Sequence, residues 1–142
     1  MEKELTSESV EQTKEIARNF AGNLKPGDVV CLKGDLGAGK THFVKGMAGE
    51  FGIDESEVQS PTFTLINEYE GSLSLYHFDC YRMESVREAL ENGAEEYFYG
   101  EGVSVIECPD QIQEIIPPEA IWIIITSPAP TKRKFVIQQK GS

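Results

Sequence analysis

The sequence has no apolar run long enough to span a bilayer. Its most apolar stretch, Ile121 to Ile125, has the length of a buried strand. No apolar region follows Met1-Glu2-Lys3-Glu4, so a signal peptide is not expected and the chain is read as cytoplasmic, with no membrane partner. Cysteine is scarce: Cys31, Cys80 and Cys108 are odd in number, far apart and without a CxxC pair, and only His42 and His77 could join them. That argues against a zinc site or a disulfide framework and leaves reduced, mostly buried thiols. Basic residues are also few. Against 24 Asp and Glu stand 13 Lys and Arg, for a formal net charge of −11. So acidic a chain is poorly suited to gripping a phosphate backbone, and any role near nucleic acid would run through a partner.

What is present suits one globular domain over residues 1–142, with 39% apolar and 26% charged residues. From about Ser9 to Leu24, Val10, Thr13, Ile16, Ala17, Phe20, Ala21 and Leu24 fall on one helical stripe. Ser9 and Gln12 fit a capping box, and Pro26-Gly27 is read as the helix stop. Asp28 to Lys33 reads as a buried strand, followed by a Gly-rich loop and a second helix from Thr41 to about Phe51, stopped by Gly52. Phe63 to Tyr69 and Leu73 to Phe78 flank the turn signal Glu70-Gly71-Ser72 and predict a β-hairpin. A helix is expected from Ser85 to about Asn92, closed by Gly93. Strands are expected at Val103 to Ile106, Ala120 to Thr126 and Lys134 to Gln138.

The loop carries the chemistry. Gly34-Asp35-Leu36-Gly37-Ala38-Gly39-Lys40-Thr41 fits G-x-x-x-x-G-K-[ST] between a buried strand and a helix. Glycines there let backbone N–H groups approach phosphate oxygens, and the helix aims its positive dipole end at the same anion. Lys40 reaches the β- and γ-phosphates, and the Thr41 hydroxyl can ligate Mg²⁺. No Asn-Lys-x-Asp string for guanine occurs, which favours ATP. The expected fold is therefore a single-domain α/β P-loop NTPase: a mixed, mostly parallel sheet with helices on both faces and one β-hairpin.

Two carboxylates stand at the ends of expected strands, where ligands gather in open α/β sheets. Glu107 follows Val103-Ser104-Val105-Ile106 in the manner of a Walker B strand, and Asp79 follows Leu73 to Phe78. With Lys40 they are the candidate catalytic residues. In Ser60-Pro61-Thr62-Phe63-Thr64, a hydroxyl could touch metal or phosphate, or the segment is a plain junction. The basic cluster Lys132-Arg133-Lys134 could place Arg133 on a base or a partner, or be a solvated hairpin end.

Four strings in this order, GDLGAGKT (34–41), SPTFTLINEY (60–69), HFDCYR (77–82) and VIECPD (105–110), make the chain resemble the TsaE (YjeE) family of small bacterial ATPases. The resemblance covers about residues 9–126. It implies an ATPase that works with two partner proteins to install threonylcarbamoyl on the adenosine next to the anticodon, with ATP hydrolysis resetting the complex and tRNA met only through the partners. It further implies Mg²⁺ held by Thr41 and Glu107, Asp79 as a catalytic or switch-organising residue, and a switch loop at Ser60 to Phe63. Two positions depart from the family pattern: Cys108 stands where Trp is usual, and His42 where Thr is common. His42 then either alters phosphate or partner contacts or faces solvent.

Two other readings share the cradle. A small nucleoside or metabolite kinase would need positive clamps on the moving phosphoryl group, and only Arg18, Arg82, Arg87 and Arg133 are available, with no Arg-rich lid. A non-hydrolysing ATP-sensing module would need only binding.

Overall fold

A computed structural model describes residues 2–34, 39–58, 66–79, 85–107 and 109–139. In chain order the elements are β1 (Glu2–Ser7), α1 (Val10–Ala21), β2 (Val29–Lys33), α2 (Lys40–Glu50), β3 (Ile66–Tyr69), β4 (Leu75–Asp79), α3 (Val86–Glu91), α4 (Ala94–Phe98), β5 (Val103–Glu107), β6 (Ile121–Ala129) and β7 (Lys132–Gln138). Short 3-10 segments lie at Glu55–Glu57 and Pro109–Ile115.

The strands form one seven-stranded sheet in the order β1-β7-β6-β2-β5-β4-β3. Its centre is parallel: β2 pairs with β5 on one edge and β6 on the other, and β4 pairs with β5. The flanks are antiparallel, with β3 on β4, and β7 between β6 and β1. This is the mixed α/β sheet that the alternating pattern predicts. None of the described helices is long and apolar enough to cross a membrane.

The period of two in a strand sorts the core into two layers. Val30 and Leu32 of β2, Val105 of β5 and Leu75 of β4 pack with Phe43, Val44 and Met47 of α2 and Ala17 of α1. Val29, Cys31, Phe78 and Ile106 face the other way, onto Ala89 of α3, Ala94 and Phe98 of α4, and Ile112. Burial pushes the Cys31 thiol up to about 12, so it stays protonated and packs as an apolar side chain. Cys80 and Cys108 lie outside the described residues.

Local signals mostly acted as expected, with informative shifts. Ser9 caps α1 by accepting from the Gln12 N–H at 3.1 Å, while Gln12 Oε1 accepts from the Glu8 N–H at 2.7 Å rather than from Ser9. The helix ends at Ala21, short of Leu24. Pro26-Gly27 does not stop it. Instead Gly27, at φ 90°, donates its N–H to the Gly102 carbonyl at 2.9 Å and ties the loop to the start of β5. Strand β1 was not expected. Glu2, Lys3, Glu4 and Thr6 are polar and exposed because it is an edge strand, paired only with β7, and a charged edge resists further pairing; Leu5 alone packs on the core. The strand's buried end is fixed by a 2.7 Å hydrogen bond between the Ser7 and Thr13 hydroxyls.

Helices α1 and α2 cross closely at Gly46. A Cβ there would lie 2.5 Å from the Lys14 carbonyl oxygen and 2.7 Å from the Ala17 Cβ. Gly46→Ala would gain about 1 kcal/mol of helix propensity. Overpacking against backbone costs about 1–3 kcal/mol and outweighs it. With a 2.5 Å clash against backbone placing the cost toward the upper end of that range, we expect a net loss of up to about 2 kcal/mol, read as a lower urea midpoint at unchanged slope; an unchanged or higher midpoint would contradict the close crossing.

Candidate functional site

The segment between β2 and α2 starts at Gly34 and re-emerges at Gly39, whose φ of 101° makes it the left-handed N-cap of α2. Lys40 is almost fully buried, and its Nζ donates to the Gly34 carbonyl at 2.9 Å, across the base of the loop. Asp35, Leu36, Gly37 and Ala38 lie outside the described residues.

The N-terminus of α2 differs from its neighbours. Helix α1 has Ser9 as cap and Glu11 in its first turn, and α3 has Ser85 and Glu88. Helix α2 has a glycine cap without a side-chain bond, and its first turn carries no acidic residue. The dipole end of α2 is therefore not offset by an acid of its own first turn, an arrangement that favours an anion there.

The field at this turn is positive in a chain of net charge −11. His42 reports it: its pKa is lowered first by burial and then by Lys14, Lys45 and Arg133, with Glu55 opposing. Glu55 is itself paired with Lys14 at 2.6 Å. Arg133 arrives from β7, where its Nη1 donates to Ser127 Oγ at 2.9 Å and to the Lys132 carbonyl at 3.0 Å. Its stem and Nε lie 3.7–4.0 Å from where a Gly39 Cβ would stand. Arg133 is thus anchored on the β6–β7 turn and leans on the loop's last glycine.

The carboxylates come from the neighbouring strands. Asp79 and Glu107 end β4 and β5 and stand opposite each other in the parallel register, while Leu32 of β2 flanks Glu107 on its other side. Val103 and Val105 face α1 and α2, so Glu107 points to that same face, toward the layer that contains the Gly34–Thr41 loop's helix. Its Oε2 accepts a hydrogen bond from Nε2 of His77, which is fully buried on β4. An acceptor-only carboxylate requires the ring nitrogen to be the donor. His77 Nδ1 has no partner among the described residues.

Thr41 and His42 follow Lys40 in the first turn of α2, both half-buried. The site thus gathers Gly34, Gly39, Lys40, Thr41, His42, Arg133 and Glu107, with the Asp79 backbone alongside. Ser60 to Thr64, Cys108, Tyr81 and Arg82 lie outside the described residues.

A family model described as "Threonylcarbamoyl adenosine biosynthesis protein TsaE" matches residues 7–135. The chain belongs to the TsaE family. It is 47% identical over 133 residues to the tRNA threonylcarbamoyladenosine biosynthesis protein TsaE of Bacillus subtilis (strain 168), covering 93% of this chain and 82% of that protein. The Treponema pallidum (strain Nichols) protein of the same name is 44% identical over 114 residues, 80% of this chain and 84% of its own. The crystal structure of Bacillus subtilis YdiB superposes with a TM-score of 0.83 at 39% identity, covering 99% of this chain and 87% of that one.

Within this family frame, the unforeseen element is the His77–Glu107 contact. The sequence puts His77 and Glu107 at the ends of two expected strands, but only the register of β4 on β5 brings them together.

His42 yields a pH prediction for the protein without nucleotide or metal. Its folded pKa lies below its ordinary 6.5, so the folded state favours the neutral ring. That contribution is fully present above about 6.5 and is lost as pH falls through the lowered folded value. Urea unfolding of wild type and His42→Gln at about pH 7.5 and pH 5.5 should show the wild type losing more stability on acidification. A constant difference between the two proteins would refute it.

Proposed function

We propose that this chain binds ATP with Mg²⁺ at Gly34–Thr41 and hydrolyses it as a partner-activated component of tRNA threonylcarbamoyladenosine biosynthesis. Family membership supports the biosynthetic role. The observation that carries the nucleotide reading is the glycine-led, acid-free first turn of α2, with Lys40 buried in it and bonded to the Gly34 carbonyl, and Glu107 ending the strand beside β2. Backbone N–H groups and Lys40 together match a polyphosphate, with Lys40 exchanging the Gly34 carbonyl for a phosphate oxygen. Arg133 and His42 border the same turn and are the candidates for contacts further along the nucleotide.

The donor set fits Mg²⁺: a hydroxyl on Thr41 and a carboxylate on Glu107 are the hard oxygen ligands that ion takes beside phosphate. When bound, Mg²⁺ would supply neutralisation of charge on the phosphate oxygens. The chain's own contribution is orientation. Asp79 and Glu107 are neighbours in register, so one can hold a water while the other serves the metal side of the site.

The acidic composition favours a division of labour in the cytoplasm. Two partner proteins would hold the tRNA, and the acidic chain would dock on a basic face of that complex.

Lys40→Ala should weaken ATP binding about tenfold to a hundredfold, the worth of a charge-assisted contact. Glu107→Gln should keep ATP binding and lower turnover by about a hundredfold or more. Both are read with a fluorescent ATP analogue and by phosphate release, with and without the partners and tRNA. Turnover that does not rise with partners and tRNA would overturn partner activation. Survival of the modification reaction in Glu107→Gln would replace hydrolysis with nucleotide sensing.

A further inference from the structure

We infer that His77 is a positioning residue that fixes the carboxylate of Glu107, an inference that rests on reading Glu107 as the metal-side acid of a nucleotide site. The ring is fully buried, and its one hydrogen bond among the described residues is from Nε2 to Glu107 Oε2. The other nitrogen, Nδ1, is buried without a partner among them. Burying a polar ring costs desolvation free energy that an apolar side chain of similar volume would avoid. Packing therefore gives no reason for histidine at this position. The contact with Glu107 does.

Geometry explains what the contact achieves. A glutamate at a strand end has three free torsions, and its carboxylate must be held to present an oxygen reproducibly. His77 sits opposite Val105 on the paired strand, two residues before the Asp79–Glu107 row. From there it engages Oε2 of Glu107 and leaves Oε1 as the oxygen not used in that contact. A packed donor of this kind holds the carboxylate in place, and supporting partners like it change metal affinity by about tenfold to a hundredfold when removed.

The test uses the full chain with Mn²⁺ as probe, titrated by electron paramagnetic resonance in the presence of a non-hydrolysable ATP analogue. Nucleotide affinity is measured separately in excess chelator. His77→Leu removes the donor, His77→Asn keeps a polar group that falls short of Glu107, and His77→Gln restores a donor near the Nε2 position. Leu and Asn should weaken Mn²⁺ about tenfold or more, Gln should recover most of it, and metal-free nucleotide affinity should stay within about twofold in all three. Wild-type Mn²⁺ affinity in folded Leu or Asn variants overturns the inference. So does failure of both to fold, since that assigns His77 to the core. If instead Glu107→Ala binds Mn²⁺ like wild type, or wild type binds none, the nucleotide-site reading fails rather than the role of His77 within it.

Discussion

Strand β2 is hydrogen-bonded along both edges and buried on both faces, and the candidate site is attached to its carboxyl end. Val30 and Leu32 hold it to the α1–α2 layer, and Val29 and Cys31 to the α3–α4 layer. Parallel pairing with β5 brings Glu107 beside Leu32, and β4 then sets Asp79 in the next row. The end of such a strand has little freedom to move with respect to its neighbour, because a one-residue slip would exchange the side chains of the two core layers. The start of α2, Glu107 and the backbone of Asp79 are thus positioned by one sheet.

The electrostatics run against the composition. A chain with an 11-charge acidic excess gathers Lys14, Lys45 and Arg133 near one helical turn, where they add to burial in disfavouring protonation of His42. Surface acids are solvated and screened over about 8–10 Å, so they do little to cancel charges clustered at close range. Bulk charge governs which large partners the molecule meets, and the local cluster governs what small anion the turn can hold.

Much of this was legible in the chain itself, for physical reasons that also mark where legibility ends. The Gly34–Thr41 loop, β2 and β5 are written in contiguous residues, and the Ser9–Gln12 cap is a local hydrogen-bond pattern. Strand β1 escaped notice because a solvated edge strand needs no alternating apolar face. Helix α4 escaped because its five residues, started by Gly93 at φ 84°, are too few to show a period. Pro26-Gly27 misled because a turn signal tells where the chain bends but not what it bends toward. The contacts of His77 with Glu107 and of Arg133 with Gly39 join residues distant in sequence, and only strand register and the β6–β7 turn create them. Membership in the TsaE family, by contrast, was carried by short strings whose order alone made them specific.

The bond from Lys40 to the Gly34 carbonyl has a thermodynamic consequence. An ammonium group held in a buried position with no acceptor would act as a sink for any passing anion. Here the loop supplies its own acceptor, so an arriving phosphate gains only the difference between two bonds. Such internal competition stabilises the free state and so lowers the net gain of any anion that takes the carbonyl's place. An anion would displace the Gly34 carbonyl only where several contacts form together before the lysine lets go of its own backbone.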